Sequence, residues 1–235
     1  MILPRSGQPS CTFEDWWSIQ GEWVEPPNRR RDGESGVQRL QLRDASQSSL
    51  YCKRQVGHLY RSFAHPFGRP TALREQHALA AFQRLGVRVP EVVYCGTRQQ
   101  AGQWRALLVT VELEGFVSLE DWYRDGLDAH YGVAIHRRML AAVGTTLSRI
   151  HRARWQHSCC YPKHIFLKVQ GSGDATRVEV ALLDLEKSRR RLRRSAAARH
   201  DLSQLNRHRQ EMPAEDWLRL LAAHAATSEI DTHAI

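Results

Sequence analysis

The apolar residues of this chain change period near Glu112 to Gly115. Ahead of that point they alternate with polar residues, as in Val37-Gln38-Arg39-Leu40-Gln41-Leu42 and Leu50-Tyr51-Cys52-Lys53-Arg54-Gln55. Alternation sends one face of a strand into a core and the other into solvent. Beyond it, Ile135, Met139, Val143, Leu147 and Ile150 recur at helical spacing over Ala134 to His151, the stripe of a helix with one buried face. Strands first and helices after predict an α+β protein of two lobes. The first, 1–112, is small and β-rich with one main helix. The second, 113–235, is mostly helical.

Local signals fill in the order of elements. Trp16, Trp17 and Trp23 lie in Phe13 to Val24 and are expected to pack that segment onto the domain. Pro26-Pro27 and Gly33 to Gly36 predict a break ahead of a strand over 37–42, and Asp44 to Ser49 a polar turn. Pro70-Thr71 opens a helix bearing Leu73, Ala78, Ala81, Phe82 and Leu85, which Gly86 ends. Pro90 to Tyr94 and Arg105 to Val111 read as strands. Ser118 with Asp121 resembles a capping pair. Two more strands, His164 to Val169 and Val178 to Leu183, flank the turn Gly171-Ser172-Gly173-Asp174. A helix follows Pro213.

With 235 residues, 42% hydrophobic and 25% charged, the chain has an ordinary globular composition. It has no run of about 18 apolar residues that would span a bilayer. Met1 to Thr12 lacks a basic start and an apolar core, so a cytoplasmic location is expected. The five cysteines are odd in number and form no C-x-x-C pair, which argues against a disulfide framework or a zinc site. The net charge is +9, and Lys187 to Arg199 holds seven basic residues and no acidic one. Such a surface suits anionic partners: a phosphorylated glycan or the anionic inner leaflet. Nucleic acid is not expected, because no aromatic residues interleave with the arginines.

Phosphoryl transfer from ATP needs held phosphates, magnesium and an oriented nucleophile, and residue types suited to each occur in order. Gly33, Ser35 and Gly36 offer backbone amides to phosphates. Lys53 lies on a strand and Glu75 in the first turns of the next helix, as phosphate ligand and the group that holds it. The segment His157-Ser158-Cys159-Cys160-Tyr161-Pro162-Lys163-His164 resembles the H-x-D-x-x-x-x-N loop of protein kinases. His157 takes its first position, Cys159 the catalytic base position and His164 that of the metal-binding asparagine. Asp184, after a hairpin, takes the place of the magnesium-binding aspartate of Asp-Phe-Gly.

The run Glu25 to Arg31 with Gly33 and Ser35-Gly36-Val37 resembles the bacterial lipopolysaccharide kinase family (InaA/WaaP-type, Kdo-kinase-like). So do Tyr51 to Gln55, Arg74-Glu75, Cys160 to His164 and Leu183 to Lys187. The resemblance covers roughly residues 15 to 210. It implies a bilobal protein-kinase-like fold, ATP and Mg²⁺ as cofactors, and transfer to a sugar of the lipopolysaccharide inner core. It makes Lys53 the ATP lysine, Glu75 its partner, His164 and Asp184 the metal-side residues, and Glu112 and Leu113 part of the adenine hinge. It gives Asp201 the task of supporting the loop. It also places the protein in the cytoplasm, peripheral at the inner membrane. The departure is Cys159. A thiol of ordinary pKa is mostly protonated and replaces a carboxylate poorly, so the alternative is a pseudokinase that binds ATP as a regulatory module.

Overall fold

A computed structural model describes residues 11–30, 33–41, 49–62, 65–171 and 173–229. The chain divides into two units, Met1–Leu79 with Pro90–Glu114, and Ala80–Val89 with Gly115–Ile235.

In the first unit, Thr12 caps α1 (Phe13–Ser18) in a reciprocal box with Asp15. Strands β1 (Glu22–Arg30), β2 (Gly33–Leu40) and β3 (Leu50–Val56) follow, then a small hairpin of β4 (Leu59–Ser62) and β5 (His65–Pro70). Helix α2 (Thr71–Arg84), counted with the second unit from Ala80 onward, leads to β6 (Val92–Gln100) and β7 (Gln103–Val111). The antiparallel sheet runs β1-β2-β3-β7-β6. Trp16, Leu40, Leu50, Cys52, Leu107 and Val109 form the core beneath it, so alternate residues of the central strands do face inward. Trp17 stacks on Phe13 and lies under Arg54, whereas Trp23 is 40% exposed.

Two expectations about this unit are corrected. Pro26-Pro27 does not break the structure; β1 runs through it with a register shift between Glu25 and Asn28. Because β1 is an edge strand and bulged there, the missing N–H groups cost no ladder bond. Gly33 to Gly36 is strand rather than a loop ahead of one, and β2 ends at Leu40. A Cβ on Gly33 would come within 2.7 Å of the His58 Cα, and one on Gly36 within 2.9 Å of the Glu25 carbonyl oxygen. Close backbone approach therefore accounts for both glycines. Arg31, Asp32, Leu42 and most of the predicted turn at 44–49 lie outside the described residues, as does Ser172.

The second unit begins with β8 (Val117–Ser118) and α3 (Leu119–Arg124), whose cap is Ser118 accepting from the Asp121 N–H at 3.0 Å. Helix α4 (Leu127–Arg152) starts earlier than its apolar stripe suggests. It kinks at Gly132, whose φ of 77° only glycine adopts readily. Met139, Val143, Leu147 and Ile150 are fully buried, each contributing on the order of 2 kcal/mol of transfer free energy. Then come β9 (Trp155–Gln156), the hairpin of β10 (Ile165–Gln170) and β11 (Arg177–Leu182), and β12 (Arg189–Arg190). Helices α5 (Arg194–Arg207) and α6 (Ala214–Glu229) close the unit. The β9–β12 pair is only two residues deep, too short to leave a periodic signal.

Candidate functional site

Within the first unit, Lys53 sits on central strand β3, opposite Val37 of β2 and Leu108 of β7. Its Nζ lies 2.7 Å from Oε2 of Glu75, with side chains 17% and 9% exposed. One polar side chain fixes the strand and helix that carry this pair. Gln55, two residues along β3, accepts from the Thr71 hydroxyl at 3.0 Å and the Ala72 N–H at 3.1 Å. It thereby satisfies a donor at the start of α2 that the helix leaves open. Its amide also donates to the Ser35 hydroxyl at 3.3 Å. Glu112 donates its N–H to the Ser49 carbonyl, and its carboxylate accepts from Arg39 and Tyr51. Burial, with Glu112 beside it, raises the Tyr51 pKa.

Within the second unit, the loop after β9 is held from α5. Asp201 is completely buried. It accepts from the backbone N–H of His157 at 2.6 Å and of Ser158 at 3.0 Å, and contacts His151 Nε2 at 3.1 Å. Burial works against its charge, but the bond from His151 and the neighbouring His157 outweigh it, and the pKa is lowered. Gln204, one turn further along α5, accepts from the Cys160 N–H at 2.7 Å. Ser188 donates to the His157 carbonyl at 2.9 Å. A carboxylate only accepts, so His151 Nε2 is the donor. Its Nδ1 lies 2.9 Å from His224 Nε2.

His157 is wholly buried. Its Nδ1 accepts from the Cys159 N–H at 3.3 Å, which puts the ring proton on Nε2, an atom with no partner among the described residues. The ring therefore shapes the loop from inside. Burial pushes its pKa down to about 4, and burial with His151 does the same to His224. Between about pH 4 and 6.5 the unfolded chain binds protons that these rings refuse in the fold. Stability is thus expected to be complete above pH 6.5 and to fall as the pH drops toward 4. His157 contributes a slope of up to about 1.4 kcal/mol per pH unit, and His224, partly solvated, adds to it. Urea midpoints at pH 7, 6 and 5 test this; a constant midpoint would contradict it.

Cys159 is 4% exposed, and its thiol is hydrogen-bonded to the Asp184 carboxylate. Burial and the negative Asp184 push its pKa up to about 12, so at neutral pH it is a donor. The β10–β11 register and the Leu183 N–H bond to the His164 carbonyl bring Asp184 beside the loop. Asp184 adopts φ 54° and ψ 59°, and its Oδ2 lies 3.7 Å from His164 Nδ1. That nitrogen also lies 2.8 Å from the Cys159 carbonyl, which can only accept. His164 Nδ1 is therefore the donor in that contact. Asp184 presents hard carboxylate oxygens beside the loop, and no cluster of three metal-binding side chains occurs among the described residues. This fits Mg²⁺, which takes one or two carboxylates and leaves other positions to water and phosphate. Cys160 is buried packing, its thiol pKa raised well above the usual value by burial.

A profile of the lipopolysaccharide kinase (Kdo/WaaP) family matches residues 14–224. The chain belongs to this family. Among its relatives is protein InaA of Escherichia coli (strain K12), 42% identical over 214 residues, 91% of this chain and 95% of that one. The lipopolysaccharide core heptose(I) kinase WaaP of the same strain is 26% identical over 116 residues, 49% of this chain and 44% of its own. A solved structure of WaaP in complex with acyl carrier protein is similar with a TM-score of 0.68 at 23% identity, covering 95% of this chain and 87% of that one. At that identity the likeness establishes the fold: α+β and protein-kinase-like, with a sheet-rich N-terminal part and a mostly helical C-terminal one.

The sequence reading named Lys53, Glu75, Asp184, the loop residues and Asp201 as the loop's support, but not the two glutamines that tie these segments in place. Gln55 and Gln204 belong to no motif. Gln204 stands three residues after Asp201, on the same helical face, which is the one signal that pointed to it. The pairing of His151 with His224 left no local trace at all.

Proposed function

We propose that this member of the lipopolysaccharide kinase family transfers the γ-phosphoryl group of ATP to a sugar hydroxyl of the lipopolysaccharide inner core. The observation that carries the proposal is the largely buried ion pair of Lys53 and Glu75. Desolvation offsets much of the attraction in such a pair, so it makes a weak stability device. It suits a lysine kept charged and aimed at phosphates. In this reading Lys53 binds the α and β phosphates and Glu75 orients it. Gly33, Ser35 and Gly36 line the phosphate side through strand backbone. The N–H of Glu112 serves the sheet, so its carbonyl and the backbone of Leu113 take adenine. Asp184 holds Mg²⁺, with His164 Nε2 as the second metal-side group. The metal, when bound, neutralises charge developing on the phosphates. The acceptor, a core glycan that bears anionic groups, implies work at the cytoplasmic face of the inner membrane.

One observation favours a second reading. A Cys159 thiol with a pKa near 12 accepts no proton at neutral pH, as befits a pseudokinase that binds ATP for regulation. Both readings require nucleotide binding. Saturating ATP with Mg²⁺, at about 100 times Kd, stabilises by about 2.7 kcal/mol, a rise in Tm on the order of 5 °C. Lys53→Ala should abolish that rise. A flat response of the unsubstituted protein would contradict both readings. Transfer of labelled γ-phosphate to core oligosaccharide lacking its phosphates then separates them.

A further inference from the structure

Residues 189–194 read Arg-Arg-Arg-Leu-Arg-Arg. The fold sets this run on the surface of the second unit. Arg189 and Arg190 are exposed on β12, the Arg191 N–H bonds the Arg154 carbonyl at 2.8 Å, and α5 begins at Arg194. Leu192, between them, is 94% exposed. Beside it lies an open groove of about 450 Å³, lined among others by Arg191, Arg193, Ser195, Arg199, His200 and Arg207. No acidic residue lines this groove, and none pairs with its four arginines among the described residues. The first turn of α5 holds no acidic residue, and its N-cap, Arg193, makes no side-chain cap. Guanidinium groups thus crowd the positive end of a helix dipole, where an anion belongs.

We propose that the groove and the Leu192 tip form one docking site for an anionic membrane. The arginines take lipid phosphate, and Leu192 enters the boundary between headgroups and acyl chains. A soluble phosphate would explain the guanidinium groups but not a leucine fully presented to solvent among them. Nucleic acid would call for an aromatic stacking platform, and no lining residue is aromatic apart from His200. The site also adjoins the candidate catalytic loop. Strand β12 pairs with β9, which leads directly into His157, and His200 contacts Asp201 at 3.2 Å. A lipid-borne acceptor docked here would be held next to that loop. The proposal deepens the function proposed above by giving it a membrane contact, and its test uses no nucleotide, so either can fail alone.

The test is co-sedimentation of the full chain with phosphatidylglycerol-containing vesicles and with pure phosphatidylcholine vesicles. Binding to the first only is expected. The triple variant Arg191→Gln, Arg193→Gln, Arg199→Gln should bind about 100-fold more weakly, from three basic side chains near a charged surface. Leu192→Ser should bind about 10-fold more weakly with the salt dependence unchanged. All substituted positions except Arg199 lie outside the regular elements or at a helix cap, and circular dichroism checks the fold. Equal binding by the triple variant and the unsubstituted protein would overturn the site. Unchanged binding by Leu192→Ser, with release of the protein from vesicles by equimolar inorganic pyrophosphate, would assign the groove to soluble phosphates and overturn the membrane proposal.

Discussion

Asp201→Ala is expected to cost about 3–5 kcal/mol of folding stability, the range for uncovering buried polar groups that a charge had satisfied. The residue is fully enclosed, and its carboxylate serves the N–H groups of His157 and Ser158 together with the rings of His151 and His200. Alanine leaves two loop amides and the His151 donor facing a void. Asp201→Asn should lose less, because the amide keeps one accepting oxygen, but its NH₂ group meets donors where the second oxygen stood. Urea unfolding at neutral pH measures both. The Asp201 pKa is lowered in the fold. Its contribution is therefore complete above the unfolded carboxyl value and is lost as the pH falls through the folded one, so the gap between variant and parent should close in strong acid. A midpoint for Asp201→Ala within 0.5 kcal/mol of the parent, the size of an ordinary surface change, would contradict the account of the loop.

Cys159→Asp is expected to raise the rate of phosphoryl transfer by about 10²–10⁴-fold, the usual worth of a positioned general base. The same change should lower the stability of the metal-free protein. The thiol now donates to Asp184; a carboxylate in its place sets two negative groups side by side in a site that is 4% exposed at Cys159. One of the pair would hold its proton to higher pH. Magnesium with ATP should relieve that repulsion, so the ligand-induced rise in Tm should be larger in the variant than in the parent. Turnover assays and thermal shifts with and without Mg²⁺ follow both effects. Turnover unchanged by the substitution, with the larger thermal response present, would show that the cysteine is not what limits the chemistry and would favour the regulatory reading.

The order of elements was legible in the sequence because two periods carry it. Alternation around Lys53 marked β3, and the stripe from Met139 to Ile150 marked α4. The pairing of Lys53 with Glu75 was legible from residue type and order alone. What stayed hidden depends on contacts between distant segments. Gly33 and Gly36 look alike in a flexible loop and in a tightly apposed strand; only the backbone at His58 and Glu25 distinguishes the two. The β4–β5 hairpin is mostly exposed, so it has no apolar alternation to read. Gln55 caps α2 from a strand 16 residues earlier, and nothing local in a glutamine announces that. The protonation states of His157 and Cys159 follow from burial, which composition does not reveal.

The acceptors that hold the loop also have an order in time. His157, Ser158 and Cys160 bond to side chains 43 or 44 residues later in the chain, and His151 meets His224 73 residues on. A ribosome that has just added His164 has made the whole candidate catalytic loop but none of the α5 side chains that hold it. The segment therefore lacks its α5 acceptors until that helix emerges, and His151, which also meets Asp201, gains its second partner only with α6. Competence waits for α5 and α6, so a nascent chain stalled before Asp201 would carry the loop's letters without those ties.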